Sequence, residues 1–409
     1  MTGLVDCPAV PRAAESVGPT LGDLIFVSLE EWDDIWRRNQ FLCAKLTERN
    51  PGMRILFVSP GRNVVREWLR GERRAQPAAT GESAPDRPRI TLTHAWEVLP
   101  NRFRLGRWCN GWLARRHLRR TVVRLGLRDA VLWINPHDAA HLAGRLGERA
   151  VVYDVTDDWS KVSQDAARRR RTVREDRRLC GRADAVIVCS EALRRDKKPL
   201  NPHVYLVPNG VDARHYAAAP HTRPPGAAAW RGTVLGYTGT LHGDRLDIEL
   251  IQGLAALVGG GASVVLVGPD HLSAAERARL QLPNVFLTGA VPYARLPEYM
   301  HCFDVCIVPH RVSPFTESLN PIKLWEYLAL GKPIVSTGVA GFRDYPRFVR
   351  LADTAQEFAD QAREAGSEPP QVARERRAEA ARHSWEARCE AVEQIIAGCS
   401  TRQKRSTNP

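Results

Sequence analysis

The sequence contains no apolar run of about eighteen residues, so it predicts no membrane-spanning helix. Its N-terminal residues include acids and prolines rather than a basic segment followed by an apolar one. We therefore expect no secretory signal and a cytoplasmic protein. The nine cysteines are scattered and include no Cys-x-x-Cys pair. We interpret them as buried thiols in a reducing compartment, without disulfide or metal roles.

Net positive charge is the main departure from an ordinary composition. The formal net charge is +13, and the excess is mainly arginine in residues 102–128 and 161–198. Such a balance fits nucleic acid, an anionic membrane surface or solvated helix faces. No motif that reads DNA or RNA accompanies the charge, so we expect no nucleic-acid partner.

Arginines and aromatic residues are interleaved between Arg102 and Arg116. This pattern is typical of an interfacial helix that contacts anionic lipid. It predicts that the protein can lie against the inner face of a membrane. A half-buried helix with solvated arginines explains the same pattern.

Short apolar runs alternate with helical segments along the chain. Its 409 residues exceed the usual size of one hydrophobic core, so we expect two domains. Near-continuous apolar strands separated by helices indicate parallel sheets covered on both faces, and hence an α/β fold of two doubly wound, Rossmann-like domains. The predicted strands are 24–27, 54–58, 130–134, 150–153, 185–188 and 204–207, then 234–237, 263–267, 285–287, 305–308 and 334–335.

Composition also suggests the domain boundaries. We expect a disordered N-terminus (1–20), a first domain (21–212), a linker (213–230) and a second domain (231–370). A long C-terminal helix (371–398) and a disordered tail (399–409) follow, and residues 71–89 resemble a flexible insertion. Two parallel-sheet domains favour a ligand in the cleft between them, at the carboxyl ends of the strands.

The segment Asn320–Thr337 is the most informative part of the sequence. It predicts a helix that begins near Pro321, ends at Gly331 and is followed by a buried strand. The free amides of the first turn, with Lys323 beside them, suit a phosphate group. Glu326 projects from nearly the same face and could bind ribose hydroxyls. An ordinary amphipathic helix with a surface Lys–Glu pair is the alternative interpretation.

Several further segments, in this order, resemble GT-B glycosyltransferases of the large retaining family 4 type. Val186–Glu191 with Val207–Asp212 is similar to the family's domain-joining segment, Gly236–Gly239 to its glycine loop, and Leu266–Gly268 and Leu287–Gly289 to its strand–loop pairs. Three motifs are similar to the teichuronic-acid-type subgroup. These are Trp36–Gln40, Tyr153–Trp159 and Asn320–Ala329.

The resemblance implies transfer of a sugar from a nucleotide-diphosphate sugar to a saccharide or lipid-linked acceptor in cell-surface polysaccharide or glycolipid biosynthesis. It implies a retaining, metal-independent reaction without a cofactor, in which the leaving phosphate accepts the acceptor's proton. The candidate donor-binding residues are Gly239, His242, Arg245, Gly268, Gly289, Arg311, Ser318, Asn320, Ile322, Lys323 and Glu326. Ser318 stands where the family has the first acid of a Glu-x7-Glu pair, and Glu317 is one residue out of register.

Candidate acceptor-side residues follow the strands of the first domain. Asp157 and Asp158 could orient or deprotonate the acceptor, and we assign them as catalytic. Helix capping with charge balance, or a metal-binding carboxylate pair, are alternatives for these acids. The candidate acceptor-binding residues are Trp36, Arg38, Gln40, His137 and Asp154. A zinc site at His137 and His141 would need a third ligand that the sequence does not identify.

Two other interpretations remain open. A sugar-nucleotide epimerase can share this two-domain architecture, although the domain-joining segment and the Lys323/Glu326 helix argue against it. A non-catalytic glycosyltransferase-like partner protein would explain Ser318 and the altered glycine loop.

Overall fold

The structure, a computed structural model, describes residues 21–63, 81–101, 103–161, 165–218, 223–318 and 320–406. The first sheet has eight strands in the order β3-β4-β2-β1-β5-β6-β7-β8, parallel except for the β3–β4 pair. Its strands are β1 (Leu24–Val27), β2 (Ile55–Asn63), β3 (Ser83–Ala84), β4 (Arg87–Glu97), β5 (Val131–Ile134), β6 (Ala150–Val155), β7 (Ala185–Val188) and β8 (Val204–Leu206).

Helices cover both faces of this sheet, because its central strands are apolar on both sides. Every residue of β1, β5, β6 and β7 is buried. Two separate apolar clusters lie above and below the strands. The helices are α1 (Arg38–Arg49), α2 (Arg104–Leu125), α3 (Ala166–Cys180) and α4 (Glu191–Lys197), with 3₁₀ helices at His137–His141 and Trp159–Lys161.

The second sheet has six parallel strands in the order β11-β10-β9-β12-β13-β14. These are β9 (Thr233–Thr238), β10 (Ala262–Val267), β11 (Val285–Gly289), β12 (Val305–Val308), β13 (Ile334–Ser336) and β14 (Val349–Leu351). The helices after the first domain are α5 (Ala213–Ala218), α6 (Ile248–Val258), α7 (Ala274–Arg279), α8 (Leu296–His301), α9 (Ile322–Leu330), α10 (Ala355–Ala365), α11 (Pro370–Ala381) and α12 (Trp385–Ser406). Short 3₁₀ helices lie at Ala227–Ala229, Gly259–Gly261, Tyr293–Arg295 and Thr316–Ser318.

Among its parallel strands each sheet reverses its strand order once, and such a reversal opens a crevice at the carboxyl ends of the strands. In the first sheet the reversal lies between β1 and β5, and in the second between β9 and β12. The predicted α/β fold of two doubly wound parallel-sheet domains is confirmed.

The two domains contact each other directly. Asn209 N donates to Asn320 Oδ1 at 2.8 Å, and Ser190 Oγ donates to the Ser318 carbonyl at 2.8 Å. Helix α12 returns to the first domain, where the buried Trp385 ring stacks on Phe41 with centroids 4.8 Å apart. These contacts fix how the two carboxyl edges face one another.

Several sequence expectations need correction. Residues 1–20 and 71–80 lie outside the described residues, but 81–89 include β3 and the start of β4 and so are not a flexible insertion. The predicted single C-terminal helix is instead two helices, because the helical conformation is interrupted at residues 382–384. Helix α12 continues to Ser406 through Arg, Gln and Lys residues that favour helix, so the tail is not disordered up to that point.

The linker also contains ordered structure. Helix α5 lies within 213–230 and carries Tyr216, which is buried in the core of the second domain. Among the described residues, no helix combines the length and apolar composition needed to cross a bilayer.

Candidate active site

A cavity of about 880 Å³ lies between the two carboxyl edges and is lined by both domains. Most of the candidate residues predicted from the sequence meet there. Those that line the cavity are Trp36, Arg38, Asp157, Gly239, His242, Arg245, Gly268, Arg311, Asn320, Ile322, Lys323 and Glu326.

Helix α9 begins at the cavity wall. Its N-cap residue, Pro321, provides no side-chain hydrogen bond to the first-turn amides, and Gly331 ends the helix in the left-handed conformation at φ 74°. Pro321, Ile322 and Lys323 all line the cavity. The amides of Ile322 and Lys323 and the positive end of the helix dipole therefore lie at a position that suits an anion.

The Lys323 amine lies beside the start of this helix. It donates to Tyr237 Oη at 2.7 Å and lies 3.5 Å from His310 Nε2. Burial, reinforced by the nearby Arg245 guanidinium, lowers the pKa of Lys323 to about 7. Burial also lowers the pKa of His310 well below its usual value, so that ring is neutral. An amine with a pKa of about 7 is only partly charged at neutral pH. An anion that binds next to it raises that pKa, so the amine becomes fully charged.

Two glycines allow close backbone packing beside the Lys323 amine. Gly239 has φ +135°, and a Cβ there would lie 2.8 Å from Lys323 Nζ. Gly268 has φ +145°, and a Cβ there would lie 2.1 Å from the Gly239 carbonyl oxygen. Both positions therefore require glycine. The result is a cradle of backbone with a lysine amine at its base.

Glu326 lies one turn after Lys323 and is held by a tyrosine. Tyr216 Oη donates to Glu326 Oε1 at 2.7 Å, and only 8% of the Glu326 residue surface is exposed. Burial raises the pKa of this carboxyl, and the tyrosine hydrogen bond acts in the opposite direction. Sequence reasoning missed Tyr216, because it placed this residue in a linker.

Three basic side chains come from loops of the second domain. The Arg245 guanidinium carbon lies 5.1 Å from the centre of the Phe315 ring, and no described residue accepts a hydrogen bond from its side chain. Arg311 donates from Nε to the Leu246 carbonyl at 3.2 Å. His242 is about half exposed beside Asp244. Of these three side chains, Arg245 is therefore the one best placed to bind a ligand.

Two carboxylates face the cavity from the first domain. Burial raises the pKa of Asp157, with Arg245 acting in the opposite direction. Burial raises the pKa of Glu30 to about 7, with a smaller contribution from the Asp157 charge. Asn39 Nδ2 donates to Glu30 Oε2 at 3.2 Å and so orients that carboxylate. Sequence reasoning missed Glu30, whose only signal was its place just after β1.

Trp36 lies at the boundary between the domains. Its ring stacks on Tyr293 of the second domain with centroids 5.7 Å apart and lines the cavity. The ring therefore forms part of the cleft wall as well as part of the domain contact.

Arg38 and Asp154 form a buried ion pair. Arg38 Nε lies 3.1 Å from Asp154 Oδ2, and Nη2 lies 3.2 Å from Oδ1. Asp154 is fully buried and does not line the cavity. Arg38 reaches the cavity edge, but its Nη1 donates to Asn209 Oδ1 at 3.1 Å. The pair joins β6 to the start of α1 and supports the cleft floor.

Gln40 and Asp158 have local structural roles. Gln40 is completely buried and its Oε1 accepts from the Arg37 amide, which closes a capping box at the start of α1. Burial raises the pKa of Asp158, but hydrogen bonds from the Ser160 hydroxyl and from Lys161, 3.0 Å away, lower it below its usual value. Neither residue lines the cavity, so Asp157 is the only one of the two predicted catalytic acids that reaches it.

Three other predicted residues also lie away from the cavity. His137 belongs to a 3₁₀ helix packed against α3, and Asn135 faces the cleft instead. Ser318 is buried and donates to the Phe315 carbonyl. The Gly289 carbonyl accepts a hydrogen bond from the Gly268 amide at 3.0 Å, which stabilises the backbone of the cradle. Glu317, one residue out of register, pairs with Arg343.

Metal-ligating side chains do not form clusters in the part of the chain that the structure describes: no group of three His, Cys, Asp or Glu residues is placed to hold a metal ion. The described cysteines are all free, and most are buried.

Comparison with known proteins identifies sequence relatives of this chain. Residues 232–366 match the family model described as "Glycosyl transferases group 1". The chain is 32% identical over 202 residues to TuaH of Bacillus subtilis (strain 168), provisionally named a teichuronic acid biosynthesis glycosyltransferase. That match spans 46% of this chain and about half (50%) of the length of TuaH.

Solved structures share the fold over nearly the whole chain. Sucrose-phosphate synthase from Thermosynechococcus elongatus has a TM-score of 0.64 at 17% identity, covering 95% of this chain and 100% of that one. Anabaena HepE in complex with UDP-glucose has a TM-score of 0.64 at 15% identity, covering 92% of this chain and 100% of that one. At these identities the likeness concerns the fold.

The chain therefore has the GT-B fold of two facing Rossmann-like domains. Residues 232–366, most of its second domain, are similar to the glycosyl transferases group 1 family. The resemblance to GT-B glycosyltransferases of the teichuronic-acid type is confirmed at this level.

Proposed function

We propose that the protein is a glycosyltransferase that moves a sugar from a nucleotide-diphosphate sugar to a saccharide or lipid-linked acceptor. The bond between the anomeric carbon and the diphosphate oxygen breaks, and the acceptor oxygen bonds to that carbon. The acceptor proton passes to the leaving phosphate, so the products are a glycoside and a nucleoside diphosphate. The observation that carries the proposal is the uncapped start of α9, with Lys323, at the wall of the interdomain cavity.

The donor diphosphate lies in the cradle formed by Gly239, Gly268 and the first turn of α9. Lys323 and Arg245 supply positive charge where negative charge develops on the leaving group. Glu326, held by Tyr216, binds the ribose hydroxyls. The HepE structure contains UDP-glucose, which supports a donor of this chemical class on this fold.

The acceptor hydroxyl lies on the first-domain side of the same cavity. Asp157 and Glu30 orient this hydroxyl, and Trp36 offers an aromatic face to a saccharide ring. We infer retention of the anomeric configuration from the resemblance to retaining family 4 enzymes. We also infer that the reaction needs no metal, because Lys323, Arg245 and the helix dipole neutralise the diphosphate.

The acceptor belongs to cell-surface polysaccharide or glycolipid assembly. The similarity to TuaH supports this class of acceptor. We also propose that the enzyme meets its acceptor at an anionic membrane surface, on the side of the first domain that carries α2.

A panel of nucleotide sugars, screened by thermal shift and then for turnover, tests the proposal. At least one donor should raise the melting temperature, and Lys323→Ala or Glu326→Ala should abolish that rise. Lys332→Ala is the matched control, because Lys332 lies beyond the far end of α9 and donates to the His301 carbonyl. Absence of any nucleotide effect on the unmodified protein would refute the proposal.

The same panel separates the two alternatives. An epimerase would convert the sugar of the donor without any acceptor. A non-catalytic partner protein would bind the nucleotide but release no nucleoside diphosphate with any acceptor. A transferase releases nucleoside diphosphate in proportion to the acceptor supplied.

A further inference from the structure

The outer face of helix α2 carries an unusual concentration of exposed apolar side chains. Seven of the ten large apolar residues that are exposed in the described chain lie between Val98 and Val123. Leu105, Trp108 and Trp112 follow one another at helical spacing and are 68%, 64% and 47% exposed. Single exposed apolar residues need no explanation, but a contiguous group of this kind marks an interaction surface.

This surface is fixed in place by the opposite face of the same helix. Gly106, Asn110, Ala114 and Leu118 are buried there. Asn110 Nδ2 donates to the Leu99 carbonyl at 2.7 Å, and its Oδ1 accepts from the amides of Val98 and Leu99. The loop before α2 is thereby tied to the helix. The exposed residues of this loop and those of the first helical turns therefore lie together at the N-terminal end of α2.

The other end of the outer face is strongly basic. A depression of about 520 Å³ lies there, lined by Arg115, Arg116, Arg119, Arg120 and Trp112 of α2. Arg145, from the segment before β6, also lines it. Among the described residues, no carboxylate forms an ion pair with any of these arginines. Arg116 instead lies over the Trp112 ring, at 5.6 Å from its centroid.

Five neighbouring guanidinium groups without a counter-charge repel one another and attract a multiply charged anion. Guanidinium groups pair with phosphate oxygens through two parallel hydrogen bonds. The depression therefore has the chemistry of a site for clustered phosphate groups.

We propose that the outer face of α2 docks on an anionic bilayer, with its aromatic end in the headgroup layer and the arginine depression holding lipid phosphates. This site deepens the proposed function by naming the surface on which the lipid-linked acceptor is met, and it rests on that function for its biological role. Tryptophan side chains favour the boundary between water and hydrocarbon. A bound nucleic acid would use the arginines but would leave Leu105 and Trp108 unburied, so the structure favours lipid.

Vesicle co-sedimentation of the full chain tests the site. The unmodified protein should bind phosphatidylcholine vesicles that contain phosphatidylglycerol and should bind pure phosphatidylcholine much more weakly. Each arginine near an anionic surface contributes roughly fivefold to binding. The variant Arg115→Gln/Arg119→Gln/Arg145→Gln should therefore bind about a hundredfold more weakly.

A matched variant separates this site from general electrostatic attraction. Arg168→Gln/Arg169→Gln/Arg170→Gln removes the same charge from exposed positions on α3 and should bind almost as well as the unmodified protein. Trp108→Ala/Trp112→Ala should also weaken binding to anionic vesicles, although it leaves the net charge unchanged. All three variants should keep the thermal shift given by a nucleotide sugar, which shows that they are folded.

The proposal is overturned if the unmodified protein ignores anionic vesicles, or if the two triple variants lose binding equally. It is also overturned if the arginine site binds duplex DNA but not vesicles. Failure of the proposed function is a separate result. Vesicle binding without any nucleotide effect would remove the enzyme assignment, and nucleotide turnover without vesicle binding would remove only the docking site.

Discussion

Replacing Lys323 with methionine should weaken nucleotide-sugar binding in a way that depends on pH. The substitution keeps an unbranched apolar stem and removes the amine that lies between Tyr237 and the cradle at Gly239. A charged hydrogen bond to phosphate contributes about 1.5–3 kcal/mol, which corresponds to roughly 10- to 150-fold in affinity. The full loss should appear only where Lys323 is charged in the unmodified protein.

The direction of the pH effect follows from the pKa of Lys323, which is lowered to about 7. The charged amine binds the diphosphate, so affinity is highest below this pKa and falls as pH rises through it. With a pKa of about 7, the free amine is roughly 90% charged at about pH 6 and roughly 10% at about pH 8, a loss of about tenfold. Because both donor phosphates are esterified, the ligand itself does not titrate in this range.

Glu30 acts in the same direction and must be controlled. Its pKa is raised to about 7, so it gains negative charge over the same pH range and should also weaken binding of an anion. Glu30→Gln removes this contribution and should leave the part of the pH dependence that belongs to Lys323.

Isothermal titration calorimetry between about pH 6 and about pH 9 measures both effects. The affinity ratio between unmodified protein and Lys323→Met should shrink from at least about tenfold to a few-fold as pH rises. Binding near neutral pH should take up a fraction of a proton, seen by comparing buffers of different ionisation enthalpy. Equal affinities at low pH, or a ratio that does not change with pH, would refute the reasoning.

Three further predictions concern the cradle, its support and metal ions. Gly239→Ala should abolish nucleotide-induced stabilisation, because alanine is strained at φ +135° and its Cβ would displace the Lys323 amine 2.8 Å away; a normal thermal shift in this variant would contradict the cradle. Arg38→Met should lower the free energy of unfolding by about 3–5 kcal/mol in urea denaturation, because it leaves Asp154 buried without its partner, and a loss below about 1 kcal/mol would show that the pair is unimportant. Turnover should be unchanged in EDTA, since Lys323 and Arg245 supply the positive charge; a loss restored by a divalent cation would contradict a metal-independent reaction.

Much of the fold was predictable because its central strands are buried on both faces and so are continuously apolar. The strands at 185–188 and 305–308 were predicted with the bounds of β7 and β12. β4 was missed because it begins with Arg87-Pro88-Arg89 and alternates apolar with polar residues. β14 was missed because it has only three residues, at the edge of the second sheet.

The position of a candidate residue at the cavity could be predicted where local sequence determines the geometry. The start of α9 at the cavity could be predicted, because proline, glycine and an apolar strand define that helix locally. The roles of Arg38 and Asp154 could not be predicted, because their contact joins positions 116 residues apart. Glu30 likewise owes its environment to residues from distant segments.

A structure of the protein with a nucleoside diphosphate tests the central claim most directly. The account predicts phosphate oxygens within hydrogen-bonding distance of Lys323 Nζ and of the first-turn amides of α9, with the ribose hydroxyls on Glu326. A nucleotide bound away from the start of α9, or one whose phosphates make no contact with Lys323, would contradict it.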